Sequence, residues 1–235
     1  MNTYSKVADG LASWLDFEQR GGREPLFSEA YLAYPLGQLL QYQFPGRVLS
    51  EIPHPILSPL KKGPGKKPLT DFVVTGSDGQ FDLVVETKWV SKAPTLLRDI
   101  IRDVVRLDLL VPKYAKVAIL VLAWQSSEVI RLFENSQFQP HPANLNSKHI
   151  LPLGNHTRAS VRFVPIPRFR ESLYMQVLTA FKGIDVSRTI QLERSGPFPR
   201  NANTTQYEVY IWKLIKYGPS EQFRPESVYS LNDGA

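Results

Sequence analysis

Apolar positions along the chain follow two periods. Val7, Leu11, Trp14 and Leu15 recur at helical spacing, and the paired glycines Gly21-Gly22 stop that segment. Ser28 stands where a helix cap belongs, ahead of Leu32, Leu36, Leu39 and Leu40 on one face, with Pro35 as a kink or new start and Pro45-Gly46 as the end. Arg47 to Ile52 then reads as a strand, followed by a proline- and lysine-rich loop from Pro53 to Lys67. Thr70 to Val74 and Phe81 to Val90 read as two strands. Asp78-Gly79, the strongest short-range hairpin signal, lies between them.

The helical period returns after Pro94, where Leu96, Leu97, Ile100, Ile101, Val104 and Val105 mark a helix over 95–110. Val117 to Trp124 is a near-continuous apolar run, the mark of a strand buried on both faces. Further on, the pattern predicts a helix over 128–135, a strand over 159–166, a helix over 171–181, a loop over 195–203 and a strand over 207–217. Helices and strands in this order predict a mixed α/β layer fold.

Composition narrows the classes. With 235 residues the chain suits one domain, or one with a small appendage. Its 43% hydrophobic and 21% charged residues are ordinary globular usage. The longest apolar run has eight residues, far short of the roughly 20 a membrane helix needs. The N-terminus carries no basic segment leading into an apolar core, so no secretory signal is expected, and a cytoplasmic setting fits. Zero cysteines exclude disulfides, thiolate zinc sites and a cysteine nucleophile. No GxGxxG, P-loop, GxSxG or HExxH occurs. A net charge of +6 favours polyanionic partners.

The hairpin carries the candidate chemistry. If Asp78 and Gly79 are the two central residues of the turn, Asp71 faces Glu86, and strand alternation puts Asp82, Val84, Glu86, Lys88 and Asp71 on one side. Two facing carboxylates about 5 Å apart repel by roughly 3 kcal/mol at an effective dielectric near 20, a cost that a cation offsets. Lys88 is one such cation. Carboxylate and carbonyl oxygens with water also suit Mg²⁺, which polarises phosphoryl oxygens and acidifies bound water. A neighbouring lysine can orient that water, or take its proton if the lysine's own pKa is lowered.

Pro68-Leu69-Thr70-Asp71, with Glu86-Thr87-Lys88 after fourteen intervening residues, on a hairpin followed by a helix, resembles the PD-(D/E)XK nuclease superfamily. The proline stands three residues before the aspartate rather than next to it. The resemblance implies a restriction-endonuclease-like αβββαβ core at about 25–125 within a nuclease domain of 1–185, with residues 186–235 as a C-terminal extension packed on it. It implies that Asp71 and Glu86 bind Mg²⁺ (Mn²⁺ substituting), with the Thr87 carbonyl as a third ligand, and that Lys88 contacts the attacking water. An acid from the first helix, Glu29, completes the shell, with Glu51 as the alternative. The expected activity is Mg²⁺-dependent DNA cleavage, of an endonuclease type serving restriction or defence, by a homodimer or with a partner subunit. RNA cleavage and a non-cleaving nucleic-acid-binding module are the alternatives.

Lys61, Lys62, Lys66 and Lys67 enter the strand that bears Asp71 and are candidates for phosphate contacts. Arg98, Arg102 and Arg106, interleaved with Asp99 and Asp103, read as a salt-bridged surface stripe. His54, His141, His149 and His156 read as surface residues of loops, and Phe163 and Phe169 as packing residues.

Overall fold

Ser28 caps a helix, as its position predicts: its Oγ accepts a hydrogen bond from the Tyr31 amide at 3.2 Å at the start of α2 (Glu29–Gln43), which carries Pro35 internally. α1 (Thr3–Arg20) precedes it and buries Val7, Leu11 and Leu15. A computed structural model describes residues 3–90, 95–126, 150–151, 157–166, 168–199, 206–216 and 221–227. The helix expected at 128–135, along with His141, His149 and His156, lies outside them.

Seven of the described strands form one mixed sheet. In chain order they are β1 (Val48–Pro53), β2 (Leu69–Thr75), β3 (Phe81–Trp89), β4 (Ala118–Gln125), β5 (Arg158–Arg162), β7 (Thr189–Phe198) and β8 (Tyr207–Ile215). Across the sheet the order is β1-β2-β3-β4-β8-β7-β5. Among the described strands only β3 and β4 pair in parallel, and α4 (Leu96–Leu110) makes the crossover between them. The short strands β6 (Val186–Ser187) and β9 (Gln222–Phe223) form a separate two-stranded ladder. The four-residue helix α3 (Leu57–Leu60) lies between β1 and β2.

Strand alternation divides the core. Phe72, Val74, Leu83, Val85, Ile119 and Val121 point towards α1 and α2. Val73, Val84, Leu120 and Leu122 point the other way, towards α4 and α5 (Glu171–Thr179). Because β4 is covered on both sides, its run from Ala118 to Trp124 is buried throughout. Each fully buried Leu, Ile or Val contributes about 1.5–3 kcal/mol of transfer free energy.

The segment from 186 onward does more than pack on the domain. β8 pairs directly with β4, and β7 pairs with β8, so these residues complete the interior of the sheet. β7 runs through the first four residues of the stretch expected as a loop, Ser195 to Phe198, with a register shift there where Gly196 takes a φ of 115°; residues 200–203 lie outside the described ones.

The hairpin register comes out as expected by a different route. The Gly76 amide bonds to the Gln80 carbonyl at 2.9 Å, so Ser77, Asp78 and Gly79 form a three-residue loop, with Gly79 in the left-handed region at φ 81°. A bulge next to Thr75 then absorbs one residue of β3. Past it the pairs are Val74↔Leu83, Val73↔Val84 and Phe72↔Val85, the register that a two-residue turn would have produced. The extra loop residue and the bulge cancel.

Candidate active site

The β2–β3 ladder ends at Phe72↔Val85, one step short of Asp71 and Glu86. Beyond that point the Thr87 amide faces β2 with no backbone partner there, and an unpaired buried N–H is costly. Asp71 answers it: its Oδ2 accepts from the Thr87 amide and from the Thr87 hydroxyl, each at 2.7 Å. Both bonds fall on one oxygen, which leaves Oδ1 for another ligand.

Glu86 follows on the face shared with Val84 and is buried, 2% exposed. Arg106 of α4 comes from above, with Nη2 3.1 Å from Glu86 Oε1 and Nη1 3.1 Å from Asp103 Oδ1. The same guanidinium donates to the Leu69 carbonyl at the start of β2. Lys88 reaches Glu29 Oε2 at 2.9 Å and Asp103 Oδ2 at 3.0 Å. Strand β3, helix α2 and helix α4 thus meet through one ammonium group.

His54 fastens the arrangement from outside. Its Nδ1 accepts from the Ile56 and Leu57 amides at 3.3 and 3.2 Å, so the proton sits on Nε2, which donates to the Arg106 carbonyl at 3.1 Å. Burial pushes its pKa down to about 4.

The site carries excess negative charge. Four carboxylates (Glu29, Asp71, Glu86, Asp103) meet two cations (Lys88, Arg106), a formal imbalance of two. Burial raises the Glu86 pKa well above the usual carboxylate range, and Asp103 and Asp71 push it the same way against Arg106 and Lys88. Burial likewise raises Asp71, opposed by the two Thr87 hydrogen bonds, and raises Glu29, opposed by Lys88. For Lys88, burial acts to lower the pKa, yet Asp103 and Glu29 outweigh it and hold it above its ordinary value. The two carboxylates thus favour the charged ammonium, which suits the orienting role that the sequence offers. Glu86 Oε1 and Asp103 Oδ2 are buried and accept no aligned hydrogen bond, although a cation stands near each.

Among the expected site residues, Asp71, Glu86, Lys88 and Glu29 come together. Glu51 does not join them: it is exposed, at φ 52°, at the one step of β1, between Ser50 and Ile52, that has no ladder pair on β2. Thr87 touches Asp71 through its amide and hydroxyl. Lys61, Lys62, Lys66 and Lys67 are all exposed.

Two expectations are corrected. Asp103 and Arg106 are not members of a surface stripe; Asp103 is 1% exposed and both belong to the site, whereas Arg98, Arg102 and Asp99 keep the surface pairing. His54 is fully buried rather than a surface loop residue, because its ring replaces missing backbone partners on both sides. Phe163 is buried against Tyr174, a packing role, and Phe169 lies against Arg170.

Oxygen ligands and an excess of two negative charges fit a hard divalent cation, and Glu86 Oε1 is a buried acceptor without a hydrogen bond. Among the described residues, no three acidic or histidine side chains converge as a ready-made metal cluster. Asp71 and Glu86 would therefore have to hold such an ion together with water and backbone oxygen, as Mg²⁺ accepts. No described helix is long and apolar enough to cross a membrane. Comparisons with protein-family models, with curated proteins and with solved structures find no match.

Proposed function

We propose that the chain is a Mg²⁺-dependent nuclease that hydrolyses phosphodiester bonds of DNA, built on a restriction-endonuclease-like core. One observation carries the reading. Asp71, Glu86 and Lys88 meet at the open end of a strand hairpin, in a site that carries a formal excess of two negative charges. The order α2-β1-α3-β2-β3-α4-β4, an αβββαβ order with one four-residue helix inserted, supports the same core.

In this reading Asp71 Oδ1 and Glu86 hold the metal. When bound, the ion supplies an acidified water and offsets charge on the scissile phosphate. Thr87 fixes the rotamer of Asp71 through two donors on Oδ2, so the free oxygen is presented without rotational loss. Lys88, held by Glu29 and Asp103, presents an ammonium that orients a water and offsets phosphate charge. Arg106 keeps Glu86 within the cluster and braces it against the backbone of β2.

A supercoiled-plasmid assay tests this. The reading expects nicking or linearisation in Mg²⁺ or Mn²⁺, none in EDTA, and a loss of about 10²-fold or more in Asp71→Asn and Glu86→Gln. An RNA substrate run in parallel decides the polymer. The second reading, a nucleic-acid-binding module that does not cut, draws on the absence of a three-acid cluster among the described residues. DNA binding without cleavage, indifferent to metal and to both substitutions, favours it.

A further inference from the structure

A cleft of about 510 Å³ opens beside the acidic site, on the outer side of α4. Its walls are α3 and the loop after it, the α4 face bearing Arg102 and Arg106, and the turn that follows α5. Lys61, Lys66, Arg102, Arg106 and Lys182 line it, and among the described residues no carboxylate does. Lys61, Lys66 and Lys182 are exposed and have no ion-pair partner among the described residues. Arg102 is shared with Asp99 at 3.3 Å, and Arg106 with Glu86 and Asp103 at 3.1 Å each. Like charges brought together from three separate chain segments repel one another, a cost that an anion would remove.

The rest of the wall is apolar. Leu57, Leu60, Phe181 and Ile184 line it, and Leu60 is 57% exposed. A bare phosphate would satisfy the cations yet leave this wall and most of the volume unfilled. The cleft lies in the size range of small-ligand pockets, and cations beside an apolar wall match a group that joins a phosphate to a flat, weakly polar ring.

We propose that this cleft is a nucleotide-binding site, distinct from the acidic cluster, that takes a nucleoside monophosphate unit. The phosphate lies against Lys66, Arg102 and Lys182, and the nucleoside covers Leu60 and Ile184. Arg106 is common to the cleft and the acidic site, so the bound phosphate lies next to the Glu86–Arg106 pair. This assignment stands whether or not the acidic site cuts DNA.

Isothermal titration of the full chain in EDTA tests it, with dAMP, inorganic phosphate, deoxyadenosine, and 5′-phosphorylated and 5′-hydroxyl oligonucleotides as separate ligands. Saturable dAMP binding is expected, at least about tenfold tighter than phosphate or deoxyadenosine alone. Lys66→Glu and Lys182→Glu, both at exposed positions, are expected to weaken it about tenfold each. Leu60→Ser should weaken dAMP and leave phosphate unchanged. If only the 5′-phosphorylated oligonucleotide binds, and does so in a Lys182-dependent way, the unit is the end of a strand rather than a free nucleotide. The proposal is overturned if neither dAMP nor that oligonucleotide binds, if phosphate alone binds as tightly as dAMP, or if the charge reversals change nothing. Because no cleavage is measured, a failure here is separable from a failure of the nuclease reading.

Discussion

Replacing Lys88 with methionine removes the cation that joins Glu29 to Asp103 while keeping the side-chain stem. At the observed 3.0 Å from Asp103, and with an effective dielectric near 20, the direct attraction is about 5.5 kcal/mol. The Asp103 side chain is only 2% exposed, so water cannot take the lysine's place, whereas the half-exposed Glu29 recovers much of its own loss by hydration. Arg106 still stands 3.1 Å from the other Asp103 oxygen, so Lys88→Met leaves Asp103 half-paired and should destabilise the fold by about 3 kcal/mol, the low end of the cost of breaking a buried pair. Asp103→Asn in the same background removes the half-paired charge. A double-mutant cycle measured by urea unfolding should then give a coupling of about 2–4 kcal/mol, with the double variant less destabilised than the sum of the singles. Additivity within about 0.5 kcal/mol would refute the premise that Lys88 acts as a charged strut.

Two further outcomes follow from the titrating groups. His54 has a folded pKa of about 4, below its unfolded value near 6.5, so the unfolded chain takes up the proton first and stability falls as pH drops through that window. Between about pH 7 and about pH 4.5 the wild type should lose about 2 kcal/mol more than His54→Asn, measured by denaturant titration at each pH; an identical loss in both would show that the ring does not carry the effect. Glu86 has the opposite sign: its folded pKa is raised, so the folded state binds more protons and stability is lost as pH rises through it. In EDTA at neutral pH, Glu86→Gln should melt above the wild type, and saturating Mg²⁺ should raise the melting temperature of the wild type alone. A Mg²⁺ response in both would place the ion elsewhere.

Much of this arrangement is legible in sequence, and the exceptions have physical causes. β3, α4 and β4 declare themselves because each buries a face or both faces, which forces periodicity. The Asp71–Glu86 relation survives a mistaken loop length because the bulge restores the lost step. Asp103 and Arg106 are harder to read, since alternating charges on a helix look the same whether they face solvent or a charged strand. A signal was present even so: Asp103 falls between Ile100, Val104 and Leu107 on the buried arc of α4, a position where an acid needs a partner. β7 is masked by Gly196 and Pro197, which read as loop residues, although Ile190, Leu192 and Arg194 alternate inward ahead of them. His54 gives no local sign of burial, because its partners are backbone groups from a turn and from a helix more than fifty residues away.

Whether Asp71 and Glu86 share one ion is decided most directly by anomalous scattering from a crystal soaked in Mn²⁺. The account expects a single peak within about 2.5 Å of an oxygen from each carboxylate, absent from an Asp71→Asn crystal soaked alike. A crystal that binds Mn²⁺ at other positions while these two side chains keep only their Thr87 and Arg106 partners would contradict it.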